Sequence, residues 1–261
     1  MNRNTIFTFA VIGLVVFTLL YSCQNGTKDK ADENDTVAVD TTPKGIDLGQ
    51  YDRYHNDISR FIAGLKQEEG SVLMPYDTHK VCVNYRTSTD DFFVRLDSFS
   101  LIEMKKFAQN ELAEINNETE TLFYPFSGPD FIHANAFFPN ARTTIMFGLE
   151  RVGDVPKIDS LTDEQLDKFF KAVRRSIDSL VYVGYFMTFE MGRDFNRVSQ
   201  LRGTLPVIAS FIARTGHRVL DIRKVTINQN GELVDSIPGQ KDTDDPNDTY
   251  ISGGVVEYMR E

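Results

Sequence analysis

Apolar residues first appear as one unbroken run, Ile6–Leu20, and then become sparse up to Asp47. From Leu48 onward they recur with periods that predict alternating helices and strands. Tyr51, Tyr54, Ile58, Ile62 and Leu65 repeat at three and four, predicting an amphipathic helix that stops at Gly70. Val81–Tyr85 has the branched composition of a strand. Ser100 and Glu103 form a capping-box pattern ahead of a helical stripe, Leu101, Met104, Ala108, Leu112 and Ile115. Leu122–Phe126 predicts a short buried strand. Ser127-Gly128-Pro129-Asp130 turns the chain into a helix through Phe138, and Thr143–Leu149 is the next strand. Thr162 and Gln165 form a second capping box, with Leu161 and Leu166 as its staple and the stripe running on to Leu180. Thr204–Thr215 predicts a helix with Pro206 in its first turn and Gly216 as its stop. Arg218–Asn228 is a strand, Asn230-Gly231 a hairpin signal into Glu232-Leu233-Val234, Ile237–Ser252 a polar loop, and Val255–Arg260 a last strand.

This order predicts an α/β fold: a central mixed sheet with helices on its faces. A Rossmann-like βαβ half lies at about 122–149, and an antiparallel hairpin lies near the C-terminus. The strand-like run that reaches Glu261 implies either that an edge strand ends the fold or that a terminal hairpin is missing. Residues 48–261, about 210 in number, suffice for one well-filled core.

The amino terminus carries a different signal. Arg3 precedes an apolar run of 15 residues, short for a membrane span of about 20. The run ends in Leu20-Tyr21-Ser22-Cys23. A basic start, a short apolar core and a small residue before the cut resemble the signal peptide of bacterial lipoproteins. That resemblance implies removal of residues 1–22 and lipidation of Cys23. One acyl chain binds only marginally, so a stable anchor takes at least two. Residues 23–47 then form a polar tether, which as a coil spans about 25–30 Å. Asp29, Asp32 and Glu33 weakly resemble the acidic surface-export signals of Bacteroidota lipoproteins. The implied location is the cell envelope, with the membrane as partner through the lipid. The periplasmic and cell-surface faces both stay open.

Charge narrows the partners further. The net formal charge is −10, and −11 once Arg3 is removed. An acidic chain has no electrostatic footprint for nucleic acid. Loss of Cys23 to lipid leaves Cys82 as the one remaining thiol, which excludes an internal disulfide. Cys82 reads as a small buried hydrophobe. The sharper alternative, a nucleophile activated by His79, is disfavoured because a strand would point the two side chains to opposite faces. No cysteine–histidine spacing suggests a metal site. Twenty phenylalanines and 41% hydrophobic residues indicate a packed body, and the absence of tryptophan lowers the weight of a sugar-binding platform.

Candidate chemistry concentrates in YPFSGPDFIHANAFFPNARTTIMFGLE, Tyr124–Glu150. In a βαβ unit the first turn faces the ligand, and an acid closing the second strand often bonds ribose hydroxyls. That reading makes Tyr124, Ser127, Gly128, Asp130 and Glu150 candidate ligand-binding residues. Asp130 and His133 share a helix face, the spacing of a carboxylate-oriented general base, with Ser127 as candidate nucleophile. The bland reading places Pro129 at N1, sets Asp130 against the helix dipole and packs the aromatics as core. One glycine stands where a dinucleotide fingerprint has three, and Pro129 lacks an amide donor, so no cofactor is expected. The layout is similar to the opening of a methyltransferase-type domain over about 30 residues. YPFSGPDF, FFPNA and FGLE together resemble a motif of uncharacterised bacterial envelope proteins, which implies no residue role.

Other polar groups read as structural. His217 follows a helix stop and suits the C-terminal end of the dipole. His55, near Asp52, reads as solvated. Glu190 and Asp194 with Arg193 and Arg197 suggest a surface ion cluster. Asp242, Asp244, Asp245 and Asp248 lack calcium-loop spacing. The expectation is therefore a lipid-anchored, non-catalytic binding or scaffolding module whose partner is a small molecule or an envelope protein. The alternatives are an envelope hydrolase or transferase using Asp130 and His133, and a degenerate methyltransferase-like domain.

Overall fold

The computed structural model describes residues 47–118, 120–125, 129–147, 152–158, 161–182, 203–236 and 251–260. Helix α1 (Arg53–Ile62) starts where Asp52 accepts the Tyr54 N–H at 2.9 Å. It stops at Gly64 rather than at Gly70. Leu65 N–H bonds Arg60 O and Gly64 N–H bonds Phe61 O, a Schellman ending that needs φ of +66° at Gly64.

The predicted strand Val81–Tyr85 is instead the start of α2 (Lys80–Leu96). Val81 and Val83 suit a strand, but the buried positions Cys82, Tyr85, Thr89, Phe92 and Leu96 recur at three and four. Packing of that stripe overrides β propensity. Helix α2 runs through a π turn (Asp97–Leu101) into α3 (Ile102–Glu111), and α4 (Ala113–Glu118) follows. Ser100 therefore caps nothing; it lies inside the π turn, its hydroxyl 3.9 Å from Met104 Sδ. The turn inserts one residue, so that Leu101 and not Ser100 follows Leu96 onto the buried face.

Strand β1 (Thr121–Tyr124), helix α5 (Phe131–Phe137) and strand β2 (Thr143–Met146) form the expected βαβ unit, with β1 and β2 parallel and Thr121 opposite Thr143. Leu122 and Tyr124 face α5 and pack with Ala134. Phe123 and Phe147, 4.9 Å apart, lie on the exposed face. Helix α6 (Asp163–Tyr182) begins with the predicted capping box, since Thr162 N–H reaches Gln165 Oε1 at 2.9 Å and Gln165 N–H reaches Thr162 Oγ1 at 3.3 Å.

Helix α7 (Leu205–Arg214) leads into β3 (His217–Ile227), the centre of a second sheet ordered β4-β3-β5, all antiparallel. β4 spans Leu233–Asp235 and β5 spans Ile251–Arg260. The fold is α/β, and the two strand directions are divided between two sheets. The Asn230-Gly231 hairpin forms with Gly231 alone at positive φ, +80°, and Asn228 Oδ1 accepting the N–H groups of Asn230 and Glu232. That is a type I turn with a bulge rather than a two-residue mirror-image turn.

Because β4 covers only Val225–Ile227, the remaining outer edge of β3 needs other acceptors. Helix α1 supplies them: Asn56 Oδ1 accepts from Val219 N–H and His55 Nδ1 from Ile222 N–H, both at 3.2 Å, beside the bulge between Val219 and Asp221. His55 is thus a tertiary contact and not a solvated residue. The main core joins α1, α2, α5, α6, α7 and β3. Tyr85 stacks on Phe170 at 3.9 Å and donates its hydroxyl to Ile62 O at 2.5 Å. Burial pushes that phenol up to about 12.

A Cβ at Gly64 would meet Arg214 Nη2 and Thr89 Cβ at 3.2 Å and the Tyr85 ring at 3.3 Å, on a backbone that also disfavours it. Gly64→Ala is expected to lose about 2 kcal/mol or more in urea unfolding; an unchanged midpoint would refute this account of the α1 stop.

Candidate functional site

The end of β1 and the start of α5 bring three of the candidate side chains together. The Tyr124 hydroxyl donates to Asp130 Oδ2 at 3.0 Å, and His133 Nδ1 lies 2.6 Å from Asp130 Oδ1. Asp130 is buried, 8% exposed. Its carboxylate makes no capping hydrogen bond to α5, and the Phe131 N–H goes to Pro129 O at 2.9 Å. Asp130 instead turns back toward the strand. Among the described residues its Oδ1 has no partner in hydrogen-bond geometry, so the close contact with His133 is off the hydrogen-bond axis. Burial first, and the neighbouring Asp130 charge second, push the Tyr124 phenol far above its ordinary value. It remains a protonated donor at any physiological pH. Ser127, Gly128 and Glu150, like Cys23, lie outside the described residues.

Chemically, one carboxylate is shared between a phenol and an imidazole. That arrangement fixes the strand end to the helix start, and it also holds an imidazole beside an acid, the core of a general-base pair. A reacting group must also face a space that can hold substrate. The described residues form a cavity of about 530 Å³, in the range of small-molecule sites, and it lies elsewhere. Helix α5 explains the separation. At about 100° per residue, Asp130, His133 and Ala134 share one face, and Ile132, Asn135 and Ala136 the opposite one. The second face lines the cavity together with α2, the π turn and the end of α7.

Phe93, Val94, Leu101, Ile132 and Ala136 give the cavity its apolar lining. Its four charged side chains form two pairs: Asp90 Oδ1 with Arg214 Nη1, and Asp97 Oδ1 with Lys105 Nζ, each at 2.7 Å. Sequence reasoning missed this site. Its one legible trace was a basic residue, Arg214, in the last turn of a helix before the Thr215-Gly216 stop.

Among the described residues, Cys82, His79 and His217 pack or pair within the fold. Cys82 is buried, and burial pushes its thiol up to about 11, so it carries no thiolate at neutral pH. The segment is helical, so His79 stands one turn before Cys82 and not across a strand. Its Nε2 lies 3.2 Å from Asp163 Oδ1. His217 is buried against Phe131 and Tyr258, with its Nδ1 3.0 Å from Thr215 Oγ1. Burial first, then Arg260, lower its pKa, the reverse of a helix-dipole partner. The acidic residues at 190, 194, 242, 244, 245 and 248 lie outside the described residues. Among the described residues no group of three or more His, Cys, Asp or Glu could hold a metal ion. No helix among them is long and apolar enough to cross a membrane. No family model, curated protein or solved structure matches the chain.

Tyr124→Phe removes one donor from a buried carboxylate. It is expected to cost about 1–2 kcal/mol in urea unfolding. Stability equal to the wild type would show that the phenol–carboxylate contact does not hold β1 to α5.

Proposed function

We propose that the chain is a lipid-anchored protein of the bacterial cell envelope whose folded domain is a non-catalytic binding module. The cavity between α2, the π turn, α5 and α7 carries this reading. It is concave, it is lined in part by the apolar Phe93, Leu101, Ile132 and Ala136, and its acids are paired with its bases, which suits holding a ligand. The amino-terminal pattern supplies the address: Cys23 takes the lipid, residues 24–47 form the tether, and the acidic domain meets the membrane through acyl chains rather than through charge. No cofactor and no nucleic acid enters this function.

One observation favours a second reading, an envelope hydrolase or transferase. Asp130 and His133 stand 2.6 Å apart with little exposure. On that reading Ser127 or Glu150 would complete the site. The binding reading is preferred because Asp130 also holds Tyr124 and the cavity lies on the other face of α5.

Cys23→Ala in the bacterial host is expected to move most of the protein out of the membrane fraction, with loss of palmitate labelling. A variant that stays membrane-bound, or a wild-type protein found in the cytosol, would overturn the envelope reading.

A further inference from the structure

We infer that the cavity takes an uncharged ligand with an apolar body and an amide group, recognised by Asn135. The inference rests on the binding reading above and adds the chemistry of the ligand. Charge is the first constraint. Asp90 pairs with Arg214 and Asp97 with Lys105, so the lining is neutral as it stands. Arg214 also donates to Ala63 O at 2.6 Å and Gly64 O at 3.2 Å, which holds its guanidinium in the fold. The Asp97–Lys105 pair is half exposed and contributes little, but the Arg214 side chain is 10% exposed, so an anionic ligand would have to compete with Asp90 and two carbonyls for it, and a cationic ligand would have to compete with it for Asp90.

Hydrogen bonding is the second constraint. The Ser98 hydroxyl donates to Val94 O at 2.7 Å, and Thr215 Oγ1 serves Phe211 O, Ile212 O and the His217 ring. Asn135 differs: it is half-buried on the cavity face of α5, and its side-chain amide makes no hydrogen bond with a described residue. A carboxamide offers donors and acceptors side by side, and its full complement is another amide. The third constraint is shape. Phe93, Leu101 and Ile132 supply apolar wall, and about 530 Å³ accommodates a side chain with its flanking peptide groups. The π turn forms one wall, and such turns are frequent at functional sites.

The test is a methyl NMR titration of the full chain purified in detergent. Three probes of one shape are used: neutral N-acetyl-phenylalaninamide, anionic N-acetyl-phenylalanine and cationic phenylalaninamide. The neutral probe is expected to shift the Val94, Leu101 and Ile132 methyls and to bind at least about five-fold tighter than either charged one. Asn135→Ala is expected to weaken it about five-fold. Val94 is 66% exposed, so Val94→Trp leaves the core intact and is expected to abolish the shifts by filling the mouth. A charged probe that binds equally or better, or an Asn135→Ala variant of unchanged affinity, overturns the ligand class and leaves the cavity as a binding site. If none of the three probes moves these methyls, or if Val94→Trp binds normally, the binding reading falls as well.

Discussion

One guanidinium joins three helices. Arg214, in the last turn of α7, donates to the carbonyls of Ala63 and Gly64 just after α1, pairs with Asp90 of α2, and lies 4.6 Å above the Phe93 ring. Its side chain is 10% exposed while that of Asp90 is 51% exposed, so the bonds to the two carbonyls are the shielded ones, where charge-assisted hydrogen bonds are strong and an unpaired cation is costly. The left-handed Gly64 is what lets the end of α1 come this close. Without a planar fork to bridge them, the carbonyls ending α1 and the acid on α2 would face one another as acceptors. The clamp also lines the cavity, so the contact that joins these helices also shapes the site.

The second organising element is α5, seven residues with two different faces. One face carries Asp130, His133 and Ala134; the Tyr124–Asp130 hydrogen bond and the packing of Ala134 on Leu122, Tyr124 and Met146 fasten the small parallel sheet to the helix. The other face carries Ile132, Asn135 and Ala136 into the cavity. Helix α5 therefore transmits the position of the βαβ unit to the cavity wall. On the far side of the core, α1 covers the open edge of β3 with Asn56 and His55. Glu68 ties the chain after α1 to Arg218 at 2.8 Å. Helix α1 is thus fixed at one end by the clamp and along its length by the sheet.

Much of the fold was legible wherever local chemistry and tertiary packing asked for the same conformation. Thr162 and Gln165 form their capping box, Gly216 stops α7, and Leu122–Leu149 contains a parallel βαβ unit. Reading failed where the two conflicted. Val81 and Val83 outweighed the three-four stripe of Cys82, Tyr85, Thr89, Phe92 and Leu96, although that stripe was present in the sequence. Ser100 and Glu103 imitate a cap, but the helix arrives already formed from α2 and absorbs them in a π turn. Of the candidate site, the Tyr124–Asp130–His133 cluster followed from helix spacing and a strand end. The cavity did not, because its walls come from segments more than 120 residues apart in the chain, Asp90 to Arg214, and no local pattern encodes that meeting.

The central claim is that Arg214 acts through a fork reaching two helices at once and not merely through its charge. Urea unfolding of Arg214→Lys beside Arg214→Ala tests it most directly. A lysine keeps the pairing with Asp90 but cannot serve both α1 carbonyls and the acid together. The account predicts that Arg214→Ala loses about 2–4 kcal/mol and that lysine recovers less than half of the loss. Wild-type stability in Arg214→Lys would contradict it.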